Sequence, residues 1–347
     1  KSASDFAKQF SIDEKFVDEF INELENKHTP KWFYLIIIII PIVFFFVVEY
    51  SLRIINYGDD FSVFIPITQV DENLLVFNPK YPHKFFENTQ SIPSVIPDAF
   101  EREKSQNTFR VFVLGGSTTA GFPFSYNATF ARYVKRRYEI LYPKTKIEVI
   151  NMGISAVNSY TIKDLIPEII NHNPDLVLIY AGHNEYYGAL GVASSESSHL
   201  NDLALSFRNT KTYQLIKDGL KIFSSTDQNE SSNNKTLMSQ LVGHNLVEYE
   251  SKEYYAGIEQ FENNFDYTLE LLSNYKINTI VSTVTSNLLQ KPFESVEVDN
   301  SADYNYYEGI KHYESEMYNE AKEYLVLAKE KDALKFRAPE EINHKIK

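Results

Sequence analysis

The chain of 347 residues contains no cysteine. That excludes a disulfide framework, a thiolate nucleophile and any Cys-ligated metal, and it leaves the redox compartment open. Positive charge is scarce as well: 34 Lys and Arg stand against 47 Asp and Glu, a net charge of −13. Such a balance argues against nucleic acid or an anionic membrane surface as a partner. Histidines number eight; no pair of them has metal-ligand spacing with a third partner, so no metal site is expected. The length allows one large domain or two modest ones with a real core.

Charge is missing altogether from one stretch. "WFYLIIIIIPIVFFFVV", Trp32 to Val48, is an apolar run of about 17 residues, and with Tyr50 and Leu52 just beyond, it can cross a hydrocarbon core of roughly 30 Å. A cleaved signal peptide fits poorly, because a mixed-charge segment precedes the run and no small-x-small cleavage site follows it. A soluble helix would not be apolar on every side, and membrane helices tolerate a proline such as Pro41. Residues 31–52 therefore read as a transmembrane signal anchor. Lys27, His28 and Lys31 lie just before it and only Arg53 just after. This bias places the N-terminus in the cytoplasm and the main domain in the periplasm or outside the cell.

Residues 1–30 form an amphipathic segment. "SIDE", Ser11 to Glu14, is a capping box, and Phe16, Val17, Phe20, Ile21 and Leu24 then recur at helical spacing. Two readings stand level: a helix lying on the membrane surface, or residues 11–50 docking a membrane-protein partner. Residues 53–107 carry prolines, asparagines and aromatics and read as an extended lead-in that wraps the main domain.

The rhythm changes over 108–299. "FRVFVLG" (from Phe109) reads as a buried parallel strand, and "KIEVIN" (Lys146–Asn151), "DLVLIYAG" (Asp175–Gly182) and "INTIVSTV" (Ile277–Val284) read as further strands. Helical patterns at 127–142, 159–172, 198–223 and 254–275 alternate with them. The expected fold is α/β, a flavodoxin-like doubly wound parallel sheet with the N-terminal transmembrane helix added. The polar stretch Ser224–Thr236 reads as a mobile loop. In the tail, 300–347, Gly309, Ala321 and Ala328 have the spacing of small positions in a tetratricopeptide repeat. An ordinary helical hairpin packed on the domain explains the same pattern, since one repeat cannot form a solenoid.

In such a sheet, ligands bind at the carboxyl ends of the strands. The first strand ends at Gly115-Gly116-Ser117, the second runs into "NMGISAVNS" with Gly153, and the third ends in "AGHNE", Gly182 to Glu185. Acyl transfer needs a nucleophile and donors aimed at a developing oxyanion. Ser117 offers the hydroxyl and its own N–H, Gly153 a bare backbone N–H, and Asn184 an amide. A phosphate loop is the rival reading of "GGSTTAG", but the segment lacks a Walker lysine and the dinucleotide glycine spacing.

The order Ser, Gly, Asn on successive strand ends resembles the SGNH (GDSL-type) hydrolases over residues about 108 to 285. Gly115-Gly116-Ser117 stands for their Gly-Asp-Ser block and Gly182-His183-Asn184-Glu185 for their Gly-x-Asn-Asp. The resemblance implies Ser117 as nucleophile, with the Ser117 N–H, Gly153 N–H and Asn184 side chain as oxyanion hole, and no cofactor. It also implies an ester substrate such as O-acetyl groups on envelope carbohydrate or lipid. His183, Glu185 and Tyr186 are expected to line the site, Tyr186 and Tyr187 either against a sugar ring or in the core, with Thr285–Phe293 as a rim.

The family's Asp-x-x-His base is missing after Val284. The nearest match is Glu341-Ile-Asn-His344, in a segment that reads as helix, which makes His344 a weak candidate base. Two explanations stay open. The sequence, which starts at Lys1 rather than Met, stops short of the base block; or the protein is a degenerate member, a scaffold within a membrane complex, holding partners through residues 11–50 and the repeat-like tail.

Overall fold

A computed structural model describes residues 31–68, 71–86, 92–124, 126–194, 201–224, 241–242, 245–296 and 299–347, with isolated positions at 13, 15, 16 and 19. The expected amphipathic helix from Ser11, save those isolated positions, and the polar stretch 225–236 lie outside the described residues. The chain divides into two units, one of residues 1–58 and 210–220, the other of 59–209 and 221–347.

In the first unit, helix α1 (Lys31–Ile54) is long and apolar enough to cross a membrane. Its buried glutamate, Glu49, accepts hydrogen bonds from the Thr212 N–H at 2.8 Å, the Lys211 N–H at 3.1 Å and Arg53 Nε at 2.8 Å. The carboxylate so supplies acceptors to the first turn of the helix that begins at Lys211.

In the second unit, strands β4 (Thr108–Gly115), β5 (Lys146–Asn151), β6 (Leu176–Tyr180) and β7 (Asn278–Val281) form a parallel sheet in the order β5-β4-β6-β7. Alternate residues of β4 face opposite sides, as the strand period demands. Val111 and Val113 join Ala131 of helix α3 (Phe130–Leu141) in one cluster. Phe112 and Leu114 join the other, with Ile162 and Leu165 of helix α4 (Ser159–Asn171) and Phe261 and Phe265 of the helix Lys252–Asn274. Burial on both faces explains the apolar runs Val111–Leu114 of β4 and Leu176–Ile179 of β6, whereas the edge strand β7 is largely exposed.

The stretch 53–107 does more than lead in. Strands β1 (Phe64–Ile67), β2 (Asp71–Phe77) and β3 (Phe100–Glu101) make a separate antiparallel sheet in the order β1-β2-β3. The ring of Phe64 lies 4.9 Å from that of Phe100 and 5.8 Å from that of Phe112, which merges the small sheet into the core of the large one. A buried arginine fastens the two. Arg110 is fully inaccessible; its Nε bonds Glu148 Oε2 at 2.7 Å, and its other nitrogens donate to the Glu101 and His172 carbonyls at 2.6 and 2.7 Å.

The tail forms two helices, Ala302–Glu314 and Tyr318–Lys331, followed by a loop and a short helix, Glu340–Ile346. They meet at Gly309, where a Cβ would come within 2.6 Å of Leu325 Cγ. The short helix returns to the sheet: the Asn343 amide bonds both the N–H and the carbonyl of Val284, at 2.8 and 3.0 Å.

Replacing Arg110 by alanine strands the Glu148 carboxylate in the core and is expected to cost about 3–5 kcal/mol. The double change Arg110→Met, Glu148→Leu recovers most of that loss. Urea unfolding of the three proteins, followed by circular dichroism, checks both.

Candidate functional site

The chain leaves β4 through Gly115 and Gly116 and turns at once into a one-turn helix, α2 (Ser117–Ala120). Bulk is excluded on both sides of this turn. A Cβ on Gly115 would stand 2.1 Å from the Tyr180 carbonyl oxygen, and one on Gly153 would stand 2.3 Å from the Ala120 nitrogen. Only glycine lets the strand ends and the turn approach this closely. No side chain caps the first turn of α2, whose first residue is the half-buried Ser117.

Ser117 and Asn184 open onto the same cleft, about 770 Å³ in volume. Asn184 Nδ2 donates to the Val157 carbonyl at 3.1 Å, which fixes the amide while leaving its second hydrogen. It lies 2.9 Å from where a Cβ on residue 116 would sit, so Gly116 keeps the space between amide and serine turn clear. The hydroxyl, the uncapped N–H and the amide are what attack on a carbonyl would use.

Gly153 departs from its expected role. It is buried against α2, and its N–H is donated to Asn151 Oδ1 at 2.9 Å. In this arrangement its part is the close approach itself, not a free donor. Asn151 holds the turn from the other side, with Nδ2 on the Thr119 carbonyl at 2.7 Å. Asp98 accepts the Asn151 N–H at 2.9 Å and pairs with Arg132. Neither Asn151 nor Asp98 was expected from the sequence. A polar residue closing the strand "KIEVIN" directly after the apolar pair Val149 and Ile150 was the available signal for the first.

His183 and Ser117 both bound a second, much smaller recess, of about 10 Å³, room for about one water. Burial and the Lys329 charge pull the His183 pKa down, partly offset by a hydrogen bond with the Thr285 backbone. Its Nδ1 already accepts the Ala338 N–H at 3.2 Å, so the neutral ring has no free lone pair. His344 is exposed, sits 3.3 Å from Glu341 Oε2, and does not line the Ser117 cleft.

Glu185 and Tyr186 do not line the site. Both are fully buried, because the side chains after Asn184 turn into the core. Tyr186 donates to the Tyr254 carbonyl at 2.9 Å and stacks on that residue's ring, and Tyr187 is buried likewise, its hydroxyl donating to the Asn245 carbonyl at 2.7 Å. A sugar platform is thereby excluded for this pair. The expected rim, Thr285–Phe293, is also absent from the cleft; Arg337 instead clamps it through the Gln290 carbonyl at 2.9 Å. Two segments missed in the sequence do line the cleft: residues 92–97 of the lead-in, and Phe336 of the loop after the tail helices.

Glu185 accepts from Ser159 Oγ and Gln260 Nε2, each at 2.5 Å, and from the Ser159 N–H at 3.2 Å at the start of α4. Burial pushes its pKa from 4.5 up to about 7 against the pull of these donors.

The chain matches no protein-family model and no curated protein. It is similar in structure to AlinE4, an SGNH-hydrolase family esterase, at 12% identity over 50% of this chain and 75% of that one, with a TM-score of 0.23. It is also similar to Axe2, an acetylxylan esterase from Geobacillus stearothermophilus, at 16% identity over 52% and 77%, with a TM-score of 0.25. Likeness this distant says nothing of activity, which has to be read from the site.

The raised pKa of Glu185 makes stability depend on pH. Below pH 4.5 the carboxyl is protonated folded or unfolded, and its contribution is fully present. As pH rises to about 7 the unfolded chain ionises first, so about 3 kcal/mol of stability is lost across that window. Glu185→Gln is expected to flatten the stability curve between pH 4.5 and 7, as read by urea midpoints at each pH.

Proposed function

We propose that this chain is a membrane-anchored serine esterase of SGNH type, acting on ester groups of cell-envelope carbohydrate or lipid. The observation that carries the reading is the meeting of Ser117, its uncapped N–H and the Asn184 amide at the mouth of one cleft, on a turn that the Gly115 and Gly153 contacts hold rigid. Ser117 Oγ attacks the ester carbonyl and its proton passes to the leaving alcohol; water then attacks the acyl-enzyme, its hydroxyl going to the acid and its proton back to Ser117 Oγ. The Ser117 N–H and Asn184 Nδ2 stabilise the oxyanion in both steps. In this reading α1 spans the bilayer, and the Lys27 and Lys31 side of the span faces the cytoplasm, which puts the α/β domain in the periplasm or outside the cell.

One observation favours a second reading. Among the described residues at Ser117, the imidazole of His183 has its Nδ1 occupied, and His344 faces solvent elsewhere. A degenerate SGNH scaffold, binding without turnover as an accessory of a membrane complex, needs no base.

Fluorophosphonate labelling of the detergent-solubilised protein separates the two. The esterase reading expects labelling that is abolished in Ser117→Ala and slowed about 100- to 1,000-fold in Asn184→Ala. Folded protein that does not label at all leaves the scaffold.

A further inference from the structure

The walls of the Ser117 cleft carry information that the catalytic groups do not. Among the described residues, no Asp, Glu, Lys, Arg or His side chain lines it. Its walls are Val95 and Ile96 from the lead-in, Phe122 and Phe124 from the segment after α2, Ala156, and Phe336 from the tail loop. Its polar side chains are Ser94, Ser117, Tyr126, Ser155 and Asn184. A carbohydrate site would need many placed donors and acceptors, because each sugar hydroxyl buried without a partner is costly. Phe122 and Phe124 are 72% and 73% exposed, so a large apolar surface stands wet beside the nucleophile. An acetyl group has one methyl to offer to a cleft of about 770 Å³. A longer chain would occupy more of it and cover the phenylalanines.

From this we infer that the cleft takes the apolar, medium-length acyl chain of an ester, with Ser117 at its carbonyl end. The inference rests on the esterase reading for the reaction, but the binding part is separable from it. Each methylene is expected to raise kcat/KM by up to about fourfold, the full factor applying only where it is wholly buried against these walls. The gain comes from water leaving the aromatic and aliphatic surface, so it tracks chain length and not the alcohol.

Two measurements test it, both on the full chain in a steroid-type detergent. In the first, Ser117→Ala protein is photolysed with a decanoate analogue bearing a terminal diazirine, and the adducts are mapped by mass spectrometry. Adducts on residues 92–97, Phe122, Phe124 or Phe336 that octanoate suppresses and acetate does not are the expected result. Adducts absent from these residues, or suppressed equally by acetate, overturn the inference. In the second, wild-type kcat/KM is measured on p-nitrophenyl esters from acetate to decanoate. A rise of at least tenfold from acetate to octanoate is expected, and a smaller rise or a maximum at acetate overturns the inference. Cleft adducts without hydrolysis of any ester sink the esterase reading alone and leave a site that holds acyl chains.

Discussion

Backbone approaches backbone twice around Ser117, and the candidate site depends on it. Gly115 brings the end of β4 against the Tyr180 carbonyl, and Gly153 brings the end of β5 against the nitrogen of Ala120. No side chain fits at either place. The result is a serine carried on one turn of helix wedged between strand ends. Preorganisation of this kind is what makes donors effective, since they need not reorient as charge develops.

Polar contacts reaching in from distant parts of the sequence then fix that wedge. Asp98, from the lead-in, holds Asn151, and Asn151 holds both Gly153 and the Thr119 carbonyl. Arg110 binds the small antiparallel sheet to the large parallel one through Glu101 and Glu148. On the other flank Lys329 is buried between the Ala338 carbonyl at 3.0 Å and Glu330 at 3.2 Å, and Arg337 pairs with Asp332 at 3.0 Å. These contacts set the loop that puts Phe336 in the cleft and the Ala338 N–H on His183. The tail helices therefore act on the site through their exit loop, whatever else they bind.

Much of this was legible in the sequence. "KIEVIN" was read with the observed bounds and the Thr108–Gly115 strand to within a residue, the latter because its centre, Val111–Leu114, is an apolar run buried on both faces. Ser117 and Asn184 were visible because small and polar residues stand out after such runs. The lead-in was harder: its strands are short, and their pairing with one another leaves no local period. Glu185 and Tyr186 misled because polar and aromatic residues after a strand look like a site. What buries them is Gln260 and Tyr254, on a helix about 70 residues away in sequence, and no local pattern reveals that. The Gly153 N–H was assigned from its bare backbone, while its true acceptor, Asn151, is a neighbour whose side-chain direction only the fold sets.

The central claim is that Ser117 and Asn184 converge on one oxyanion. The most direct test is a crystal structure of the protein with an alkylboronic acid, which mimics the tetrahedral intermediate. The account predicts a covalent bond from boron to Ser117 Oγ, with one boron-bound oxygen within about 2.7–3.1 Å of both the Ser117 nitrogen and Asn184 Nδ2. An adduct whose oxygens all turn away from Asn184 would contradict it.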